Sequence, residues 1–307
     1  MTAIEILDNL FFIQRGFLNA NHFVCRTPDP VLIDTGYKGG LDETLKHIQS
    51  VGVDPADVSL IVNTHTHCDH IGGNRAIQER SGCAVALHPV GRHFINTRDD
   101  WSTWWRYFGQ EADFFTCTHS LEHGKAIRIG DHAFKIIFTP GHASDGIVLY
   151  HQKERLLISS DTLWENDLAV MTLRIEGSTA VFRMLESLER IAALDVRRVY
   201  PGHGAPFDDF SGAIERARKR LHGYLEDRRR IGRDLLKKII VYTLLMKTSV
   251  PCERLFSLLM GTPWYRETVD LYFDGAYRSE YEEIVEGFLR RKVIIESNGG
   301  YTTTVPP

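Results

Sequence analysis

Four residues able to bind a metal fall within six positions: His65, His67, Asp69 and His70, in the run Asn63-Thr64-His65-Thr66-His67-Cys68-Asp69-His70-Ile71-Gly72-Gly73. The apolar run Val58-Ser59-Leu60-Ile61-Val62 precedes it and reads as a buried strand. After Gly72-Gly73-Asn74, residues Arg75 to Arg80 read as a helix, so the four residues sit in a loop leaving the end of a strand. In an extended chain, residues two apart point the same way. His65 and His67 therefore converge on one point, while Thr66 and Cys68 face elsewhere. Asp69 and His70 follow where the chain turns, and face a second point close by. Neutral imidazole and carboxylate are good ligands for zinc, iron or manganese. A lone pair of histidines would carry little weight, because most histidines are core or surface residues. Four ligand-type residues at the end of an apolar strand are hard to explain without a metal.

The same arrangement recurs along the chain. Leu10-Phe11-Phe12-Ile13 and His22-Phe23-Val24-Cys25 are short aromatic or β-branched strands, and Val31-Leu32-Ile33 is a third that ends in Asp34-Thr35-Gly36. Asp34 reads either as a turn residue or as an acceptor that orients a ligand histidine. Residues 41–50 form an amphipathic helix with Leu41, Leu45 and Ile48 on one face. A hairpin over 126–138 turns at Gly130-Asp131 and leads into Pro140-Gly141-His142. Leu156-Leu157-Ile158-Ser159 ends in Ser160-Asp161, residues 178–193 are helical, and Val199-Tyr200 leads into Pro201-Gly202-His203-Gly204. Short strands that each end in a loop carrying one His or Asp are a means of assembling one site from distant segments. Strands followed by helices, twice over, predict an α+β sandwich of two sheets flanked by helices.

Two stretches fall outside this rhythm. Residues 92–118 concentrate Trp101, Trp104, Trp105, Tyr107, Phe108, Phe114 and Phe115. They read as a mixture of core packing and a wall bordering the active-site mouth. Beyond Ala205 to Gly212, a short linker, residues 212–247 read as one or two basic helices, with ten Lys or Arg from Arg216 to Lys238 against Glu226, Asp227 and Asp234. Helical segments follow around 252–260 and 264–291, and then a strand, a tight turn at 297–300 and a second strand. Helices followed by a small hairpin suggest a winged helix. The expected division is a catalytic domain over 1–208 and a helical, winged-helix-like domain over 212–307. Residues 212–307 carry 17 basic and 13 acidic residues (+4), the rest 19 and 27 (−8), so the tail is expected to dock on the catalytic part or on a second copy as a homodimer; nucleic-acid binding comes second.

The 307 residues carry a formal net charge of −4, which excludes a chain built as a whole for nucleic acid. No apolar run approaches the length of a membrane span, and no signal-peptide pattern is visible. The five cysteines are scattered and form no C-x-x-C pair. Free thiols in a reducing cytoplasm are the simplest account, and Cys68 is expected to pack behind the ligands.

Taken in order, His65-x-His67-x-Asp69-His70, Pro-Gly-His142, the strand-end Asp161 and Pro-Gly-His203-Gly resemble the metallo-β-lactamase superfamily over residues 1 to about 208. The resemblance implies a four-layer αββα sandwich. It implies that His65, His67 and His142 bind one metal, that Asp69, His70 and His203 bind a second, and that Asp161 bridges both. It further implies two divalent ions, zinc first and iron or manganese next, holding a bridging hydroxide that attacks the substrate while Asp69 acts catalytically to orient it. True metallo-β-lactamases of the family usually have Cys or Ser where Asp161 stands. Flavodiiron proteins have Glu in place of His67, and the nucleases with a large inserted domain need more room than the roughly 40 residues between Asp161 and His203. The run from His65 to Asn74 looks most like glyoxalase II. The tail departs from that group and shows none of its glutathione-gripping residues; it is similar to tails found in the lactamase-like endoribonucleases and in other hydrolases of the superfamily. The leading expectation is a hydrolase of thioesters or small acyl esters. The others are a single-strand endoribonuclease, a mono-iron sulfur dioxygenase and a non-catalytic binding protein; the complete ligand set argues against the last.

Overall fold

The computed structural model describes residues 3–307. Strands β1 (Ile4–Leu7), β2 (Leu10–Ile13), β3 (His22–Cys25) and β4 (Val31–Ile33) run antiparallel. β5 (Leu60–Val62), β6 (Ala84–Leu87) and β7 (His119–Ser120) join them in parallel, in sequence order, to give a seven-stranded sheet. The parallel crossovers carry the helices α1 (Leu41–Ser50), α2 (Cys68–Ile71), α3 (Asn74–Ser81), α4 (Pro89–Thr97) and α5 (Trp105–Phe108). A second, five-stranded sheet follows: β8 (Ala126–Ile129), β9 (His132–Phe138), β10 (Ile147–His151), β11 (Leu156–Ser160) and β12 (Arg198–Pro201), with only the β11–β12 pair parallel. The short α6 (Leu173–Glu176) and the long α7 (Ala180–Ala192) form the β11–β12 crossover.

The period of two along each strand decides the layers. Phe12, Phe23, Ile33, Val62 and Ala86 of the first sheet meet Phe134, Ile136, Ile147, Leu149 and Ile158 of the second in one apolar layer. Ile13, Val24, Leu32, Ile61 and Val85 point the other way and pack under α1, α3 and α4. Val148, Leu157 and Val199 leave the second sheet on its outer face and meet Val181, Met184, Leu188 and Ile191 of α7. The result is the expected helix–sheet–sheet–helix sandwich. Strands buried on both faces by these layers read as continuous apolar runs for that reason.

The last third begins with α8 (Phe210–Glu226) and α9 (Arg229–Lys247), so the basic stretch is two helices broken at Asp227. Then come β13 (Val250–Pro251), α10 (Cys252–Met260), α11 (Pro263–Phe273), α12 (Tyr277–Arg290), β14 (Ile294–Ser297) and β15 (Gly300–Thr303). The helix expected over 264–291 is interrupted: Asp274 and Gly275 take φ of 52° and 77°, a left-handed stop that ends α11. β13, β15 and β14 form a small antiparallel sheet in that order, and the hairpin turns on Asn298 and Gly299, both at positive φ. The apolar side of this unit is continuous with the outer layer of the second sheet. One cluster contains Leu188, Phe210, Ile214, Leu236, Ile240, Trp264 and Phe273, together with Trp104 and Phe108 from the aromatic stretch.

Candidate metal centre

The loops at one edge of the two sheets bring all seven ligand-type residues together. β5 delivers Asn63 to His67, and α2 turns Asp69 and His70 inward. Pro140-Gly141 delivers His142, the end of β11 delivers Asp161, and Pro201-Gly202 after β12 delivers His203. The glycine before each of the last two histidines is a close-approach position. A Cβ on Gly141, at φ +149°, would sit 2.6 Å from the backbone of Met184 in α7; one on Gly202 would sit 2.1 Å from Asp161 Oδ1. The loop carrying His142 is further pinned by α7, where Ser187 Oγ donates to Pro140 O at 2.7 Å.

Asp161 occupies the middle. Its Oδ2 lies 3.3 Å from His142 Nε2, 3.5 Å from His70 Nε2 and 4.0 Å from His65 Nε2, and its Oδ1 lies 3.9 Å from His203 Nε2. Asp69 Oδ2 is 3.2 Å from His203 Nε2. Three groups have ligand atoms close enough for one ion each: His65, His67 and His142; His65, His70 and Asp161; Asp69, His70 and His203.

The other ring nitrogens are occupied in a way that fixes this orientation. His142 Nδ1 donates to Val170 O at 2.7 Å and His203 Nδ1 donates to Gly16 O at 3.0 Å. His70 Nδ1 meets Asp34 Oδ2 at 2.8 Å. A proton on Nδ1 leaves Nε2 as a lone-pair donor aimed into the cluster. The Nε2 atoms of His67, His70 and His142 are buried and have no hydrogen-bond partner among the described residues. Buried polar atoms without partners are costly, and divalent ions are the partners this donor set fits: five imidazoles and two carboxylates, buried, with the outer nitrogens of His70, His142 and His203 held and His67 Nδ1 turned to within 3.0 Å of His65 Nε2.

The charges are arranged in opposition. Burial, aided by neighbouring imidazoles, holds His65 and His67 well below the usual histidine range, so both are neutral donors. Burial also works against charge on His70, but the Asp161 and Asp34 carboxylates outweigh it and raise His70 well above that range. Asp161 is the counterpart: burial opposes its charge, yet His70 and His203 pull it well below the usual carboxylate range. A cation entering the cluster therefore has to displace a proton.

Asp34, read from the sequence as a turn residue or as an orienting acceptor, takes the second role. Besides His70 it accepts from Thr64 N at 2.9 Å and Thr64 Oγ1 at 2.7 Å, from a backbone held at φ 57°. Cys68 packs behind the cluster, with Sγ 3.4 Å from Tyr242 Oη of α9. The aromatic stretch serves both roles expected of it. Trp104 lies over His67 at a ring separation of 3.8 Å, joins the outer core cluster, and lines the cavity in front of the metal loop. Trp105 is core, tied by Nε1 to Thr66 O at 3.1 Å.

Several neighbours had no signal in the sequence. Trp104 Nε1 donates to Glu176 Oε1 at 2.8 Å, and burial pushes the Glu176 carboxyl up to about 8. Asp145, three residues past His142, is buried and pushed up to about 7. Phe17 stacks on His203 with the rings 7° from parallel and 5.8 Å apart. An Asp or Glu in a loop is ordinary until tertiary packing removes its water.

A model of the metallo-beta-lactamase superfamily matches residues 22–203, more than half of the chain and every strand from β3 to β12. The chain belongs to that superfamily. It is similar to a probable metallo-hydrolase of Bacillus subtilis strain 168, with 27% identity over 232 residues, 65% of this chain and 72% of that one. It is also similar to a hydroxyacylglutathione hydrolase of Maricaulis maris, with 33% identity over 148 residues, which is 48% of each chain. Among solved structures, a metallo-beta-lactamase family protein of Thermus thermophilus superposes with a TM-score of 0.61 over 97% of this chain and 99% of that one, at 20% identity. That likeness concerns the fold, and it spans the tail as well as the sandwich. Family and relatives together make this chain a metal-dependent hydrolase.

Proposed function

We propose that the protein hydrolyses thioesters or small acyl esters with two divalent metal ions, zinc first and iron or manganese next. His65, His67 and His142 would hold one ion, Asp69, His70 and His203 the other, and Asp161 would serve both. The observation that carries this reading is the set of three overlapping ligand groups, in which the buried, partnerless Nε2 atoms of His70 and His142 lie 3.5 and 3.3 Å from Asp161 Oδ2. Bound divalent ions would supply Lewis acidity for the substrate oxygen and acidify a water molecule near neutral pH. The chain itself supplies the rest. Asp69, hydrogen-bonding distance from His203, is placed to orient the nucleophile, and Trp104 and Phe17 shield the cluster from bulk water.

The substrate class is supported by the run from His65 to Asn74 and by similarity to a hydroxyacylglutathione hydrolase. We take residues 212–307 as a winged-helix-like unit, supported by the element order from α9 through β15 and the strand order β13-β15-β14. Three of its cations reach acidic residues of the catalytic part, Arg218 to Glu189 and Arg220 and Lys238 to Asp167, which favours docking over RNA; Arg216 and Arg233 pair with Asp209, Glu280 and Glu283 of their own region. Five free thiols support a reducing, cytoplasmic setting, and no described helix is long and apolar enough to cross a membrane.

The test is elemental analysis of fully loaded protein together with an acyl-thioester panel and an oxygen electrode. Two metals per chain and thioester turnover without oxygen uptake are expected. At most one metal per chain would sink the dinuclear assignment, and oxygen consumption would replace hydrolysis with oxidation.

A further inference from the structure

The metal cluster closes only one end of a cavity of about 440 Å³. The opposite wall is the tail. Asp234, Lys237, Lys238, Val241, Tyr242 and Leu245 recur at helical spacing along one face of α9 and line it. The Tyr242–Cys68 contact sets this face against the metal loop. From the far side, Phe288 and Arg291 at the end of α12, followed by Val293, complete the wall.

Four cations line this cavity, and they fall into two pairs. Arg220 and Lys238 are taken by Asp167, and Lys238 also by Asp234 at 2.8 Å. Lys237 and Arg291 form no ion pair among the described residues. Arg291 spends its Nε on Gly287 O of its own helix at 3.0 Å, and its guanidinium lies 5.5 Å from the centre of the Phe288 ring. The ends of its fork are left for something else. Burial lowers Lys237 first, and the positive charges of Arg291 and Arg233 lower it further, against the pull of Asp234 and Glu283. Two like charges set together beside apolar side chains repel, and a bound anion removes that cost. The tail also gives this cavity apolar wall: Val241, one helical turn from Lys237, with Leu245, Phe288 and Val293.

We propose that Lys237 and Arg291 form an anion subsite at the tail end of the cavity, so that the substrate is an amphipathic ester or thioester. Its carbonyl lies at the metal cluster, its middle is apolar, and its far end is a carboxylate or phosphate. This rests on the hydrolase reading above and gives its substrate a charge and a length. Lys237 stands five residues before Tyr242, about 7.5 Å along the helix, which an arm of roughly six to eight carbons spans. The planar fork of Arg291 suits a carboxylate or phosphate better than a point charge would.

The experiment compares octanedioate with octanoate by calorimetry on the full, metal-loaded chain. Each has a carboxylate for the metal end, so the ratio of their Kd values isolates the second anion. About tenfold tighter binding of octanedioate is expected in wild type. That gain should vanish in Lys237→Gln and Arg291→Gln and survive in Lys237→Arg, with octanoate affinity, metal content and Tm unchanged. A phosphonate in place of the distal carboxylate tells which anion is preferred. Equal ratios in wild type and variants, or no gain in wild type, would overturn the subsite. So would loss, in the Gln variants, of single-stranded RNA cleavage while the octanedioate ratio stays flat; that result would assign the two cations to RNA. Because calorimetry needs no turnover, an intact ratio in a protein inert to every thioester would refute only the reaction.

Discussion

Replacing Asp34 with Asn tests the outer support of the metal centre with almost no change of shape. The wild-type carboxylate makes three short contacts: Thr64 N at 2.9 Å, Thr64 Oγ1 at 2.7 Å and His70 Nδ1 at 2.8 Å. An amide has one acceptor oxygen and one donor nitrogen. If its oxygen keeps Thr64 N, as Oδ1 does now, its NH2 takes the place of Oδ2, faces Thr64 Oγ1 and His70 Nδ1, and forces that nitrogen to accept. The proton then moves to Nε2, the atom aimed at the cluster, and His70 loses its lone pair there. Changes to such outer partners typically cost 10- to 100-fold in metal affinity, about 1.4 to 2.7 kcal/mol. The loss should be lopsided, because Asp34 touches His70 and neither His67 nor His142. Competition against a chromophoric chelator should resolve one metal of nearly wild-type affinity and one weakened by one to two orders of magnitude. Hydrolysis should fall in step with the weakened site and recover at high metal concentration. Equal weakening of both metals, or none, with Tm unchanged would refute the tautomer argument. A large drop in Tm would instead assign Asp34 to holding the loop at its positive φ.

Further outcomes follow from the same geometry. Asp161→Asn removes the central carboxylate and should reduce bound metal and take hydrolysis to background, with the far-UV circular dichroism spectrum unchanged. Glu176→Gln keeps an acceptor for Trp104 and removes a buried acid. The folded value of this carboxyl, about 8, exceeds its ordinary value of 4.5, so its contribution to stability is whole below about pH 4.5 and is lost as pH rises through 8. The Tm of Glu176→Gln relative to wild type should therefore climb from pH 5 to pH 8; a constant difference would count against it. Trp264→Ala, at one of the largest fully buried side chains, opens the layer that joins the tail to the second sheet and should cost about 3 to 5 kcal/mol in denaturant unfolding. A cost near zero would mean that the tail and the sandwich do not share a core.

Residues close in sequence carried most of what could be read without a structure. His65 to His70 lie in one loop, and the period of two in a strand and the turn after it are local geometry, so their convergence is legible in the chain. The strands were legible because a sheet buried on both faces writes itself as an apolar run, and α1 and α7 because one apolar face recurs every three to four residues. The helix end at Asp274-Gly275 is also local, but a long amphipathic pattern ran through it and hid it. What sequence could not supply was the set of contacts made across long separations. Asp34 and His70 meet only because β4 pairs with β5 in parallel. Glu176 and Asp145 have displaced pKa values only because packing has removed their water. Lys237 reads as one more charge in the basic stretch and Arg291 as the last residue of a later helical segment, and only the fold puts both on the same cavity. A residue's type and spacing fix what it can do; its solvation and distant neighbours fix what it does, and those exist only once the chain has folded.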